Sequence, residues 1–146
     1  ASSRSVQRAK RTGSTVGLAH RPQRRNRMRN MSFALTTDQI RSGSKTVTRR
    51  AGWLHLKPGD MLRPVKKCMG LKPGEKIEPL RDPLRVVSVR REPLRWMTDS
   101  VFGDDECKRE GFPDMTPGEF VAMFCATHKG CTPETEVTRI EFEYVG

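Results

Sequence analysis

The stretch SGSKTVTRR, residues 42–50, puts a lysine, two threonines and two arginines on one short segment. Threonine and valine favour an extended strand. A strand serving only a core would alternate apolar side chains, and here only Val47 fits. One reading of Lys45, Thr46, Thr48, Arg49 and Arg50 is the lining of a ligand cleft. Arg49 and Arg50 can each fork onto a phosphate or carboxylate. Two further basic pairs, Lys66-Lys67 and Arg90-Arg91, fall on later predicted strands, and one shared face would suit phosphate contacts. The competing reading is a solvated strand whose charges discourage edge-to-edge pairing. Trp53 follows the arginine pair, and an aromatic in a basic cleft can stack a base for about 1–3 kcal/mol. Trp53 and Trp96 read equally well as partly buried core residues. In CATHKGC, Cys125, His128 and Cys131 are acceptable zinc ligand types. Their spacing matches no common finger, and a thiol beside an apolar helix face is an ordinary small hydrophobe. No metal and no cofactor is expected. No Gly-rich phosphate loop stands out.

The elements that must position these residues follow from periodicity and turn signals. MSFAL is a strand and TTDQIRSG a short helix ending near Gly43. KTVTRR is the second strand. LKPGD is a turn. MLRPVKKC is a third strand, with Pro64 suggesting an edge or a bulge. A long loop follows, then the strong strand LRVVSVRREPL. Helical pieces begin near Pro93 and around ECKREGF. TPGEFVAMFCATHKG is the clearest helix, with Thr116 as cap, Pro117 at the first position and Glu119 completing a capping box. TEVTRIEFEYV closes the pattern as a strand. The order β-α-β-β-β, helices, β predicts an α+β fold: a small curled β-barrel with helices packed at one side.

The chain has 146 residues and a formal charge of +11. Nine of its 28 basic residues fall in residues 1–30, which hold no acid, so residues 31–146 carry a net of only +2. Residues 1–30 are too poor in apolar groups to offset their ordering entropy. They are expected to be a disordered basic tail or a non-native extension, with residues 31–146 as the single domain. Four cysteines form no dense disulfide framework, and no apolar run has the length of a membrane span. A cytoplasmic setting is expected.

Several landmarks then line up: a strand and helix leading to Gly-x-Lys-Thr-x-Thr-Arg, a Lys-Pro-Gly-Asp turn, a Val-rich strand, REGF, and a helix followed by a strand. In this order they resemble the activating signal cointegrator homology (ASCH) domain, a relative of the PUA domain. The resemblance covers residues 31–146 and rests chiefly on SGSKTVTRR, LKPGD and REGF. It implies binding of RNA or a nucleotide-like ligand in a cleft beside the barrel. Some small bacterial members are amidohydrolases that remove the acetyl group of N4-acetylcytidine, using a lysine, a threonine three residues later and a distant glutamate. On this chain the set falls on Lys45, Thr48 and Glu110. A longer loop at 69–82 and extra residues at 99–106 depart from the family pattern, in a position to reshape the cleft.

A threonine hydroxyl needs a base to become a nucleophile, and a lysine serves only if burial or nearby cations lower its pKa. A carboxyl such as Glu110 could then shuttle a proton to the leaving amine. Residues i and i+3 point to opposite faces of a regular strand. Lys45 and Thr48 therefore converge only if Lys45 lies in the loop before the strand, or if a bulge re-aims one of them. The reading from sequence favours an RNA- or nucleotide-binding domain. The alternatives are an amidohydrolase acting on an N-acylated nucleoside and a protein-interaction module using a barrel edge.

Overall fold

The computed structural model of the protein describes residues 28–68 and 71–145. Residues 1–27, most of the expected tail, lie outside the described residues. Strand β1 (Arg29–Ser32) leads through a 3-10 turn (Ala34–Thr36) into helix α1 (Thr37–Ser42). Strands β2 (Val47–Arg50), β3 (Met61–Val65) and β4 (Leu84–Pro93) follow. Helices α2 (Trp96–Asp99), α3 (Gly103–Arg109) and α4 (Pro117–Thr127) precede the last strand, β5 (Glu136–Tyr144). The order is the one the sequence predicts, and the class is α+β. β1 starts at Arg29, slightly ahead of Met31, and Arg29 is already in register with Leu62 of β3.

The five strands form one mixed sheet in the order β1-β3-β4-β5-β2. β1 runs parallel to β3 and the other neighbours are antiparallel. The sheet is curled but not closed by backbone pairing: β1 and β2 are its edges. Arg50 spans the gap. Its Nη2 donates to Ser32 O at 2.6 Å, and its guanidinium lies 4.8 Å from the centre of the Phe33 ring. The expected barrel is thus an open sheet tied at its seam by one side chain. Pro64 does not mark an edge, because β3 is interior. Its carbonyl accepts from Leu80 N at 2.8 Å. The missing N–H therefore faces that loop, where pairing with β4 has already ended at Leu62.

Two apolar clusters hold the fold. One fills the curl, with Met31, Phe33, Ile40, Leu62, Leu84 and Phe142 among its members. The other lies under the helices, with Leu94, Met97, Cys107, Phe120, Phe124 and Val137. The long strands β4 and β5 run from one cluster to the other: Val86 and Ile140 serve the first, and Val137, with Leu94 just past the end of β4, the second. Burying each such side chain stabilises the fold by about 1.5–3 kcal/mol. α4 starts on the predicted capping box, with Glu119 N donating to Thr116 Oγ1 at 3.2 Å and Thr116 N to Glu119 Oε1 at 2.8 Å. Among the described residues, no helix is long and apolar enough to cross a membrane.

Candidate functional site

Two helix ends build the site. α1 ends in a turn where Gly43 takes a left-handed φ of 84°, with Ser44 N donating to Gln39 O and Gly43 N to Ile40 O. α3 ends in the same way. Gly111 has φ 96°, Phe112 N donates to Cys107 O and Gly111 N to Lys108 O. A left-handed residue closing a helix with this pair of bonds is strongly biased to glycine. That is the local reason for the SGSK and REGF sequences. The first turn delivers Lys45 to the start of β2, and the second holds Glu110 at the end of α3. Thr46 fastens them together: its N–H donates to Arg109 O at 2.8 Å and its carbonyl accepts from Phe142 N at 2.9 Å. Gln39 Nε2 adds a bond to Gly111 O at 3.1 Å. Tyr144 donates its hydroxyl to Lys45 O.

Lys45 therefore lies in the loop before β2, which resolves the i, i+3 difficulty without a bulge. Lys45, Thr48, Arg49 and Glu110 are all buried, at 2–4 % exposure. Lys45 Nζ donates to Glu110 O at 2.7 Å and to Glu110 Oε1 at 2.9 Å. Arg49 Nη1 donates to the other oxygen, Glu110 Oε2, at 2.9 Å. Arg49 Nη2 donates to Glu92 Oε2 at 3.1 Å and to Glu106. Arg139 forks onto Glu106 at 2.7 and 3.0 Å. Arg49, Arg139 and Arg90 stand side by side across β2, β5 and β4. Like charges directly opposite on a sheet repel. Glu92 and Glu106 offset this, and Glu92 Oε1 also accepts from Arg90 Nε at 2.7 Å.

The electrostatics follow from this packing. Burial pushes the Lys45 amine below its ordinary value, against the opposing pull of Glu110, with Arg50 and Arg49 lowering it slightly more. A buried amine with a lowered pKa can exist as the neutral base. Burial also brings Arg50 down to about 10. Glu106 is pushed down to about 2, because the hydrogen bonds and charges of Arg139 and Arg49 outweigh its own desolvation. Arg49 is held above its ordinary value by Glu110, Glu106 and Glu92, although burial acts the other way. Its Nε–H is buried and has no acceptor among the described residues.

Lys45, Thr48, Arg49, Arg50 and Glu110 line one cavity of about 270 Å³. Ser32, Phe33, Ala34, Leu35 and Thr36 form one side, and Phe112, Phe120, Met123, Phe124, Thr127 and His128 the other. The polar group thus sits against a largely apolar wall drawn from both clusters. Thr48 Oγ1 accepts from Arg50 Nε at 3.2 Å, which leaves its own proton free to donate. Thr46 acts through its backbone and does not line the cavity. Trp53 does not line it either: it packs on the first cluster, with Arg29 stacked over its ring at 4.3 Å. Lys66 and Lys67 follow β3, which β4 and β5 separate from β2, and Lys67 reaches Glu75 at 3.5 Å. No cluster of three or more potential metal ligands occurs among the described residues. A second, polar groove lies beyond Arg49, bordered by Arg90, Arg139, Glu106, Trp96 and Phe102. Of the extra residues at 99–106, Ser100, Phe102, Asp105 and Glu106 line this groove and none lines the cavity.

No family model matches the sequence, and no curated protein matches it. Solved structures do. A hypothetical protein, PH0355, superposes with a TM-score of 0.57 at 16% identity, covering 82% of this chain and 100% of that one. Protein EF3133 from Enterococcus faecalis V583, of family model DUF984, gives 0.52 at 18% identity, covering 81% and 79%. An ASCH domain from Lactobacillus crispatus JV V101 gives 0.52 at 13% identity, covering 86% and 84%. The chain has the fold of an ASCH domain.

Sequence reasoning alone missed the ASCH-like domain's buried carboxylates Glu92 and Glu106, and Arg139. One signal was available. Glu106 and Glu110 are four apart on a helix, and like charges at that spacing repel unless cations face them. Nothing in the sequence pointed to Arg139, which lies on a strand read as ordinary sheet.

Proposed function

We propose that this ASCH-like domain is a hydrolase for the amide bond of a small N-acylated nucleoside. What carries the reading is the Lys45–Glu110 pair, buried beside Thr48 in a cavity whose far wall is apolar. Thr48 Oγ attacks the acyl carbonyl while Lys45, as the neutral amine, takes its proton. Lys45 then passes the proton to the departing amino group as the C–N bond breaks. Water hydrolyses the threonine ester, releasing the carboxylic acid and restoring the hydroxyl. Glu110 holds Lys45 in place and balances its charge while it is protonated. Because both its oxygens already accept from cations, it serves as a clamp and not as the proton shuttle the sequence suggested. The apolar wall takes the base or the acyl group. The small-molecule reading is preferred to RNA because Arg49 is buried among carboxylates and the half-buried Arg50 is tied to Thr48 Oγ1 and Ser32 O, so neither offers an open fork to a phosphate chain. The four cysteines are free thiols, in keeping with a reducing, cytoplasmic setting.

The test is incubation with N4-acetylcytidine and longer-chain N-acyl nucleosides, with chromatography for the free nucleoside. Turnover should be lost in Lys45→Ala and Thr48→Ala variants that remain folded. Saturable nucleoside binding without turnover would replace the hydrolase with a binding domain. Binding of single-stranded RNA that weakens steeply with salt would favour the nucleic-acid reading instead.

A further inference from the structure

The CATHKGC segment takes no part in the chemistry above, yet it brings two thiols together. Cys125 is on the last turns of α4. The chain then leaves the helix at His128 and turns back, with Cys131 N donating to His128 O at 3.0 Å and Gly130 in a left-handed conformation. This return sets the two sulfurs 3.8 Å apart. Both thiols are half-buried against the helical cluster. His128, which would complete a metal site, is turned elsewhere: its ring stacks on Phe124 at 3.9 Å, and its Nδ1 lies 2.9 Å from Phe124 O. Phe124 and His128 both line the cavity.

We propose that Cys125 and Cys131 are a redox-active pair that closes into a disulfide, pinning the turn that carries His128 at the cavity rim. The oxidant is a low-molecular-weight disulfide of the glutathione class. One protein thiolate attacks a sulfur of that disulfide, forming a mixed disulfide and releasing one thiol. The second protein thiolate then attacks the protein-side sulfur, forming the internal bond and releasing the second thiol. Burial and the neighbouring sulfur raise the Cys125 thiol, and either thiol can open the exchange with the other completing it. The inference does not depend on the hydrolase reading, since it needs only the two sulfurs and the turn.

The experiment equilibrates the full chain in glutathione buffers of increasing oxidised fraction, quenches with an alkylating agent, and maps the peptides by mass spectrometry. The expected product lacks two hydrogens, joins the Cys125 and Cys131 peptides, and keeps Cys68 and Cys107 alkylated. Cys125→Ser and Cys131→Ser, checked as folded by near-ultraviolet circular dichroism, should each lose the internal bond; a glutathione adduct is expected on the remaining partner. Amide exchange over residues 128–131 should slow in the oxidised protein. Stable glutathione adducts on both cysteines of the native chain, or equal alkylation of all four thiols, would overturn the pair. A disulfide that leaves exchange at 128–131 unchanged would overturn the pinning.

Discussion

Replacing Glu110 by alanine tests the buried network at the carboxylate that Lys45 and Arg49 share. The carboxylate accepts from Lys45 and from Arg49, both at 2.9 Å, and its side chain is only 3% exposed. Removing one partner of a buried pair costs about 3–5 kcal/mol. Arg49 keeps Glu92 and Glu106, and Lys45 keeps the backbone oxygen of residue 110, so the expected loss is at the lower end, about 3 kcal/mol. Lys45→Met removes the other charge and leaves Glu110 with Arg49. It is expected to cost about 2 kcal/mol, because one carboxylate oxygen and one carbonyl lose a donor. The double variant should cost less than the two together by about 1–2 kcal/mol, the coupling of contacting residues. A pH signature separates this from loss of packing. Lys45 in the fold lies below its ordinary value of 10.5, and Glu110 is its main opposing influence. Without Glu110 it falls further. Between that lowered value and 10.5, the unfolded chain binds the extra proton, so stability rises with pH, by at most about 1.4 kcal/mol per pH unit. Urea denaturation across a pH series up to 10.5 should therefore show the Glu110→Ala deficit shrinking between the variant's Lys45 pKa and the wild type's, and no such recovery in the double variant. A Glu110→Ala loss under about 1 kcal/mol, or an equal loss whether or not Lys45 is present, would refute this account of the pair.

Two further outcomes follow from the same geometry. Glu106 drops from 4.5 to about 2 on folding. Its contribution is thus complete above pH 4.5 and is lost as the pH falls toward 2. Discounted for its partial exposure, this is worth about 2 kcal/mol, and an acid titration of wild type against Glu106→Gln should show most of the wild type's advantage vanishing across that window. Gly111→Ala puts a Cβ 2.9 Å from Gln39 Cγ at a φ of 96°, so a loss of about 1–3 kcal/mol is expected in thermal denaturation, and with it a displaced Glu110; an unchanged Tm would contradict the cap described for α3.

Much of the architecture was legible because local signals agreed with one another. Thr116, Pro117 and Glu119 announce α4, the Val-rich run announces β4, and Gly43 announces the turn that carries Lys45. What the sequence could not reveal was pairing between distant segments. Arg49 and Arg50 look alike in the chain, yet one is sunk among three carboxylates while the other ties two sheet edges. Pro64 read as an edge signal, because a proline's missing donor is obvious in sequence and the loop that faces it is not. Trp53 followed the arginines in sequence but is held on the first cluster under Arg29. The apolar wall of the cavity was visible only as a helix face, because its partner surface comes from the Phe33 segment far away in the chain.

Arg49 lines the cavity on one side and the polar groove on the other. This has an evolutionary consequence. A partition made of apolar side chains can be thinned one methyl at a time. A partition made of a guanidinium shared by Glu92, Glu106 and Glu110 cannot: any single exchange at Arg49 takes a donor from three acids at once, leaving Glu92 with Arg90, Glu106 with Arg139 and Glu110 with Lys45. Laboratory evolution for new substrates should therefore find its gains among Leu35, Met123 and Thr127 around the rim. Joining the cavity and the groove into one longer channel would require several coordinated changes before any of them became beneficial.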